Sequence, residues 1–566
     1  MDGKGERVPV KQQDDYDGDE VVEAAVIASS TSSPAIIKGE MQPPAYRDWH
    51  FSVLFFVQMA AIAATAISFG PAMFESLTTE TDDYDNSNSN YNNNNSYDNN
   101  NQGGNRFLAV SSKLSTSDMI FFFVGSLLAA SVVVMSVFRV MIHYPLEVIK
   151  VSFFMAPVTF GAVALVILAA SAAGNNEDGG GDVDVNTAIV GSFWAMGAFF
   201  SIISICYYFC YKRFMPFAAV NLQAALSAVR ANMGLFFLSV GALFVIYAWT
   251  ILWVIAMGGI LYHDQQKEQV PCSQYYDDDT VDHPTGMCDQ QPNAIAITML
   301  VLCFYWTQQV IQNTVHTTTA GTVGSWWVQP AEDNFARNNG GGGCCGQDVS
   351  DSLHRSCTYS FGSICLGSLL VAILQTLEAM ARNNRNRRDV LSIVLQCIIM
   401  CFRAWLEYFN SWAFCYVGIY GYSYVEAGRK VIELFKSRGW TTFITDRLIF
   451  RVLLMANWGI AALTGALCVL LMLFLAFSKL DRNDWAPALV AAFWFGFVVG
   501  LIVSNTVLFV VESATRTVMV CFAEQPMMVE GGRPMLQNLK ETYAATYPDI
   551  FRFDVELENR PERNVV

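Results

Sequence analysis

Ten long apolar stretches recur along the chain, with polar connections between them. They lie near residues 50–70, 119–141, 148–173, 187–211, 233–262, 293–319, 357–381, 390–418, 448–477 and 486–512. A hydrocarbon core of about 30 Å takes roughly 20 apolar residues to cross as a helix. Only helices and closed barrels satisfy their backbone in lipid. None of these runs alternates apolar and polar positions as a barrel strand does. The pattern predicts an all-α, polytopic integral membrane protein of about ten transmembrane helices, with a membrane domain over 50–521.

The segments outside that domain read differently. Residues 1–49 are polar and acidic, with the run Asp14-Asp15-Tyr16-Asp17-Gly18-Asp19-Glu20, and predict a disordered cytoplasmic N-terminus. They lack the short apolar core of a signal peptide, so the first apolar helix is expected to serve as an uncleaved insertion signal. Residues 71–118 are rich in Asn, including Asn92 to Asn95, and predict a disordered extracellular insertion. The sequon Asn94-Asn95-Ser96 makes Asn94 a candidate glycosylation site. Residues 329–352, with Gly340 to Gly343, read as a flexible connection, and 522–566 as a polar cytoplasmic C-terminal tail.

Charge gives the sidedness. With 1–49 inside, the connections 71–118, 174–186 and 263–292 fall outside. They carry Glu80, Asp82, Asp83, Glu177, Asp178, Asp182, Asp184 and Asp277 to Asp279 against only Arg106, Lys113 and Lys267. Arg139, Lys150, Lys212, Arg213, Arg230, Arg429 and Lys430 then lie inside, as the positive-inside rule requires. Arg382, Arg385, Arg387 and Arg388 break the pattern: either that turn is an exception or 390–418 lies along the membrane. Cys272 and Cys288 share an acidic, Pro-containing outer loop, which points to a disulfide between them, with two free thiols as the alternative.

Composition narrows the classes. The 566 residues are 53% hydrophobic and only 15% charged, unlike an ordinary soluble protein. A net charge of −16 with no basic face leaves nucleic acid nothing to bind. HExxH, GxSxG and Walker patterns do not occur, so an enzyme, a metal site and a cofactor are not expected. Cys206/Cys210 and Cys397/Cys401 have i, i+4 spacing without a His cluster and read as buried structural thiols.

Polar chemistry enters the membrane most densely at Tyr305-Trp306-Thr307-Gln308-Gln309-Val310-Ile311-Gln312-Asn313-Thr314-Val315-His316. Gln308, Gln312 and His316 share one helical face with Tyr305, and Trp306, Gln309 and Asn313 form the adjoining stripe. Amides left in lipid are costly, so this face must meet protein or water. A solute path and plain interhelical hydrogen bonding both fit. On the first reading the aromatic rings would face a cation, the amides would orient a hydroxyl, and His316 would relay protons.

Several stretches together resemble the choline transporter-like family. They are Phe304 to His316 with Ala320-Gly321 and Ser325-Trp326-Trp327, then Ser360-Phe361-Gly362-Ser363-Ile364-Cys365-Leu366-Gly367-Ser368-Leu369, Asn410-Ser411-Trp412-Ala413-Phe414 leading to Ile419-Tyr420-Gly421, and Cys521-Phe522-Ala523-Glu524. The resemblance covers roughly 190–530. It implies a ten-helix transporter with both ends cytoplasmic and a large outer loop after the first helix. It also implies choline, or a related small organic cation or amino alcohol, as solute, and residence in the plasma membrane or an organellar one. The chain departs from the family pattern at Arg516, where an Asp is common, and at Gln525, where an acid follows Glu524. The expected function is therefore facilitative or proton-coupled transport of a choline-like solute, with membrane lipids as the other partner. The alternatives are a channel or carrier for another small polar solute, and a non-transport scaffold or lipid-handling protein.

Overall fold

Long apolar helices build the structure. The computed structural model describes residues 40–88, 116–154, 183–265, 270–271, 287–288, 294–328, 346–383, 390–479, 485–524 and 534–548. The helices are α1 (Trp49–Asn88), α2 (Thr116–His143), α3 (Val183–Tyr211), α4 (Met215–Ala231), α5 (Gly234–Gln265), α6 (Ala294–Val328), α7 (Gln347–Cys357), α8 (Phe361–Asn383), α9 (Val390–Tyr420), α10 (Tyr424–Lys479), α11 (Trp485–Glu524) and α12 (Pro534–Thr546). Eight of them contain a span long and apolar enough to cross a membrane: α1, α2, α5, α6, α8, α9, α10 and α11. Of the other two expected spans, 187–211 falls within α3, and 148–173 is helical to residue 154 and then lies outside the described residues. The protein is an all-α, multi-pass membrane protein.

Large apolar side chains face outward all along these helices, among them Phe56, Phe123, Phe244, Ile398, Phe474 and Trp494. On a soluble surface such a belt would aggregate; in lipid it is the solvated face. The same reason corrects one expectation. Cys206, Cys210, Cys397 and Cys401 are exposed rather than buried, because a thiol is apolar enough to sit against lipid and gains nothing from being packed inside.

With lipid tails as apolar as Leu, helices associate through close packing of small residues and through polar links. The core gathers the second half of α6, the end of α9 and the second half of α11, with Trp412, Phe414 and Tyr416 almost fully buried. Here α6 and α9 touch backbone to backbone. A Cβ at Gly418 would fall on the Thr317 carbonyl oxygen, and one at Gly321 would come within 3.0 Å of the Gly418 carbonyl oxygen. Tyr420, two residues beyond Gly418, donates a hydrogen bond to Glu524 at the end of α11. The three helices α6, α9 and α11 thus terminate at the same end of the bundle and run in the same direction. Further along, α10 and α11 pack antiparallel on glycine faces: Gly496 sits against Cys468, and Gly500 against Ala461 and Thr464.

Three segments expected to be disordered or a polar tail are ordered, and a short helix fills the connection between α3 and α5. Helix α1 continues through Pro71 to Asn88, into the stretch expected to be disordered. Extending an existing helix avoids the nucleation cost that a separate helix would meet. Residues 40–48 are tied to the bundle rather than free: the Gln42 amide donates to the Tyr420 carbonyl, and the Arg47 amide to that of Tyr359. The short helix α4, rich in Ala, is buried against its neighbours. The tail contains α12, which places Leu536, Leu539 and Tyr543 on one face, continued by Tyr547 just past its end, with Tyr543 and Tyr547 packing on Phe217 and Tyr543 also on Phe522. At the start of helix α10 the Glu426 carboxylate reaches back and accepts from both the Ser423 amide and its hydroxyl. Those bonds hold the Glu426 carboxyl below its usual pKa. Glu378 joins Arg382 at 2.6 Å and also Arg403 at 2.9 Å, which links α8 to α9.

Asn94 lies outside the described residues, as does Cys272. Its expected partner, Cys288, sits in a two-residue ladder opposite Val270, two positions before Cys272 in sequence. Non-reducing peptide mapping should recover the two cysteines as one linked species; alkylation of both without reductant would exclude the bond.

The α6–α9 contact gives a sharper test. Gly418→Ala should lower the melting temperature in detergent, with a cost of about 1–3 kcal/mol for overpacking. Gly459→Ala, where an added Cβ meets nothing within 4 Å, should leave it unchanged or slightly raised. Equal melting temperatures for the two variants would contradict the packing described.

Candidate functional site

Helix α6 carries two polar stripes, and the bundle treats them differently. On the side facing α8, Trp306 is buried; its indole Nε1 donates to the Cys365 carbonyl at 3.0 Å, and its ring stands edge-on to Phe55 of α1. Asn313, two turns on, donates its amide to Ser368 Oγ at 2.9 Å. His316 is buried between α9 and α11: Nε2 lies 2.7 Å from the Ser411 carbonyl oxygen. A carbonyl only accepts, so Nε2 carries the proton in that bond. The His316 carbonyl in turn accepts from Ser513 Oγ at 3.1 Å. These three side chains are interhelical links.

The threonines close on their own helix. Thr314, Thr317, Thr318, Thr319 and Thr322 each donate to the carbonyl four residues earlier, at 2.7–2.9 Å. Such back-bonding satisfies a hydroxyl without any outside partner.

The glutamines are left over. Gln308 and Gln309 are half-buried and Gln312 is exposed, all within a membrane-crossing helix. Their amides make no hydrogen bond among the described residues. Tyr305, one turn before Gln308 and Gln309, is half-buried, with its ring against Phe304. One further residue belongs with them. His316 touches Phe509 of α11, with ring centroids 6.2 Å apart. Because α6 and α11 run in the same direction, Gln312 and Asn505 each lie one turn back from that contact. Asn505 is exposed, like Gln312. A polar residue in the middle of an apolar helix was the available signal; only the helix pairing shows that it sits level with the glutamines. A second addition is Gln58 of α1, which donates to Thr307 Oγ1 at 3.0 Å while its own carbonyl oxygen is buried without a partner.

Below these groups lies a charge cluster. Arg516 of α11 is buried; Nε meets Asp446 of α10 at 3.1 Å, and Nη2 meets Glu512 at 2.6 Å. Its guanidinium stands 6.0 Å from the Tyr408 ring, over which Arg447 also lies, at 4.7 Å.

A family profile described as plasma-membrane choline transporter matches residues 195–527, more than half of the chain. The chain belongs to the choline transporter-like family. The matched region runs from within α3 to the end of α11 and so contains both α6 stripes and the charge cluster. Among relatives, Protein PNS1 of Gibberella zeae is 27% identical over 358 residues, 61% of this chain and 62% of that protein. A CTL-like protein of Dictyostelium discoideum is 26% identical over 362 residues, 63% of this chain and 57% of the relative. Protein PNS1 of Saccharomyces cerevisiae is 26% identical over 376 residues, 64% and 65%. The alignments with the first relatives thus span about three-fifths of those proteins' length.

By the resemblance of its sequence, Arg516 puts a cation where an acid is expected. In the fold, two carboxylates flank it, Glu512 on its own helix and Asp446 supplied by α10, and with Arg447 over the same Tyr408 ring the cluster sets two acids against two bases. Removing one member of a buried pair leaves a charge without its partner, at a cost of about 3–5 kcal/mol. Asp446→Ala should therefore lower the melting temperature strongly, whereas Lys150→Ala, at the exposed pair with Glu147, should shift it little. A small shift for Asp446→Ala would show that the cluster is not load-sharing.

Proposed function

We propose that the protein carries choline, or a related small amino alcohol, across the membrane without chemical conversion. Family membership supports a membrane transporter. The observation that supports a polar solute is the set of amides of Gln308, Gln309 and Gln312, without a hydrogen-bond partner among the described residues, on a membrane-crossing helix. An amide facing lipid costs free energy, whereas one facing a water-filled path or a hydroxylated solute does not. Choline has a hydroxyl for such amides and a quaternary ammonium for an aromatic face. Tyr305 supplies the ring in reach of the glutamines, with a cation–π contact of about 0.5–2 kcal/mol. On this reading Trp306, Asn313 and His316 hold α6 in register, and Asn505 completes the polar lining. The plasma membrane and cytoplasmic termini are part of the same proposal, resting on the family description and the charge distribution.

A second reading is favoured by the neutrality of the lining: among Tyr305, Gln308, Gln309, Gln312 and Asn505 there is no acid to select a cation. An uncharged polar solute fits these groups as well.

Uptake of radiolabelled choline into vesicles reconstituted with the purified protein separates the readings. Saturable uptake competed by ethanolamine supports the first. Unitary currents would indicate a channel. Gln312→Leu should reduce the initial rate about tenfold, about 1.4 kcal/mol, with an unchanged melting temperature because the side chain is exposed. Trp306→Leu should lower the melting temperature before it affects affinity. Undiminished uptake by both Gln308→Leu and Gln312→Leu would remove the glutamines from the path.

A further inference from the structure

The segment before α1 is fastened across the end of the bundle where α6, α9 and α11 terminate. The Glu40 amide donates to the Tyr422 hydroxyl at 2.9 Å, the Gln42 amide to the Tyr420 carbonyl at 2.8 Å, and the Arg47 amide to the Tyr359 carbonyl at 3.0 Å. The Asp48 carboxylate accepts from Ser363 Oγ at 2.6 Å and from the Tyr424 amide at 3.1 Å. One carboxylate thus ties the strap to the start of α8 and the start of α10 together. Asp48 holds this position in a left-handed backbone conformation, φ +53°, which Asp tolerates better than most residues but at some cost. Gly362 is the seat: a Cβ there would overlap the carbonyl oxygens of Arg47 and Asp48. Gly421, with φ +77°, makes the turn over which Gln42 passes.

Beneath the strap is a cavity of about 240 Å³. Met41 to Ala45 form one wall. Thr317 of α6, Arg355 and Ser356 of α7, Ser360, and Gly418 of α9 are among the residues opposite. The cavity therefore begins where the α6–α9 crossing ends. Immediately inward from Thr317, the seam between α6, α8 and α9 is polar: Asn313 bonds Ser368, and the Asn410 amide donates to the Gly367 carbonyl at 2.9 Å while its carbonyl accepts from the Tyr424 hydroxyl. Arg355 donates to the Gly418 carbonyl at 3.2 Å. Burial draws its guanidinium below the usual pKa, with Asp351 opposing.

We propose that residues 40–48 are a gate: the strap closes this cavity in the state seen here and releases Gly362 and the Asp48 contacts when the path opens to that side. The inference rests on the transporter reading, since a gate needs a path. Its chemistry suits a reversible closure. The ties are a few hydrogen bonds at the bundle end rather than buried apolar packing, and each net contribution is only about 0.5–1.5 kcal/mol. The strained Asp48 backbone offsets part of it. Arg355 on the cavity wall makes the closed chamber a poor resting place for a cation.

Accessibility tests the gate independently of transport. In Thr317→Cys, a bulky water-soluble maleimide should react slowly at residue 317, followed by peptide mass spectrometry of the purified full-length protein. Adding Asp48→Ala, or separately Gly362→Ala, should raise the rate at residue 317 at least tenfold while the native core thiol Cys415, which is buried, stays protected. No acceleration in either variant, or equal acceleration at Cys415, would overturn the gate. Choline uptake is measured alongside: its absence in the unmodified protein would overturn the transporter reading and leave the labelling result standing on its own.

Discussion

The backbone contact between α6 and α9 is the constraint on which the rest depends. At Gly418 the two helices approach until no Cβ fits between them. That closeness brings His316 to the Ser411 carbonyl and Cys415. It also draws α11 in, through Ser513 on the His316 carbonyl. In lipid, where burying apolar surface gives no drive to associate, such close approach and a handful of polar links are what hold helices together. The polar residues of α6 then divide by what they can reach. Trp306, Asn313 and His316 find partners on α8, α9 and α11; the glutamines have none among the described residues.

That division separates two roles that are indistinguishable along the chain. Trp306, Gln309 and Asn313 lie on one stripe of the sequence, yet Trp306 and Asn313 are bonded to α8 while Gln309 has no protein partner among the described residues. Within the other stripe His316 is buried and Gln312 exposed. Periodicity assigns residues to faces but not to neighbours. Asn505 and Gln58 belong to the site through helix pairing, which spacing within a single helix does not contain. The Arg516 cluster makes the same point electrostatically. A cation in a membrane helix looks unfavourable until Asp446, seventy residues away in sequence, is placed beside it.

The segments outside the apolar runs are also structural parts. The strap at 40–48 and helix α12 both dock on the end of the bundle where α6, α9 and α11 terminate. Each supplies what that end lacks. Helix α12 covers Phe217 and Phe522 with tyrosines, and the strap occupies backbone donors and acceptors at the start of α8 and around the α9–α10 turn. Composition concealed both, because a polar tail and an acidic leader resemble solvated chain. For α12 a signal was present: Leu536, Leu539, Tyr543 and Tyr547 fall at spacings of three and four, the period of one helical face. For the strap there was none, since its order comes from bonds to residues more than three hundred positions away.

By itself the sequence determined the class of the protein: helical, membrane-crossing, with most spans located and with the family legible in the α6, α8, α9 and α11 stretches. Those properties follow from composition over windows of about 20 residues and from local helical period, both of which are written along the chain. Tertiary structure alone decided which polar side chains are spent on neighbouring helices, what pairs with Arg516, and that the strap forms one wall of a cavity. Each of these depends on pairs of residues remote in sequence, and in a medium without water the partner decides whether a polar group is a link or a lining.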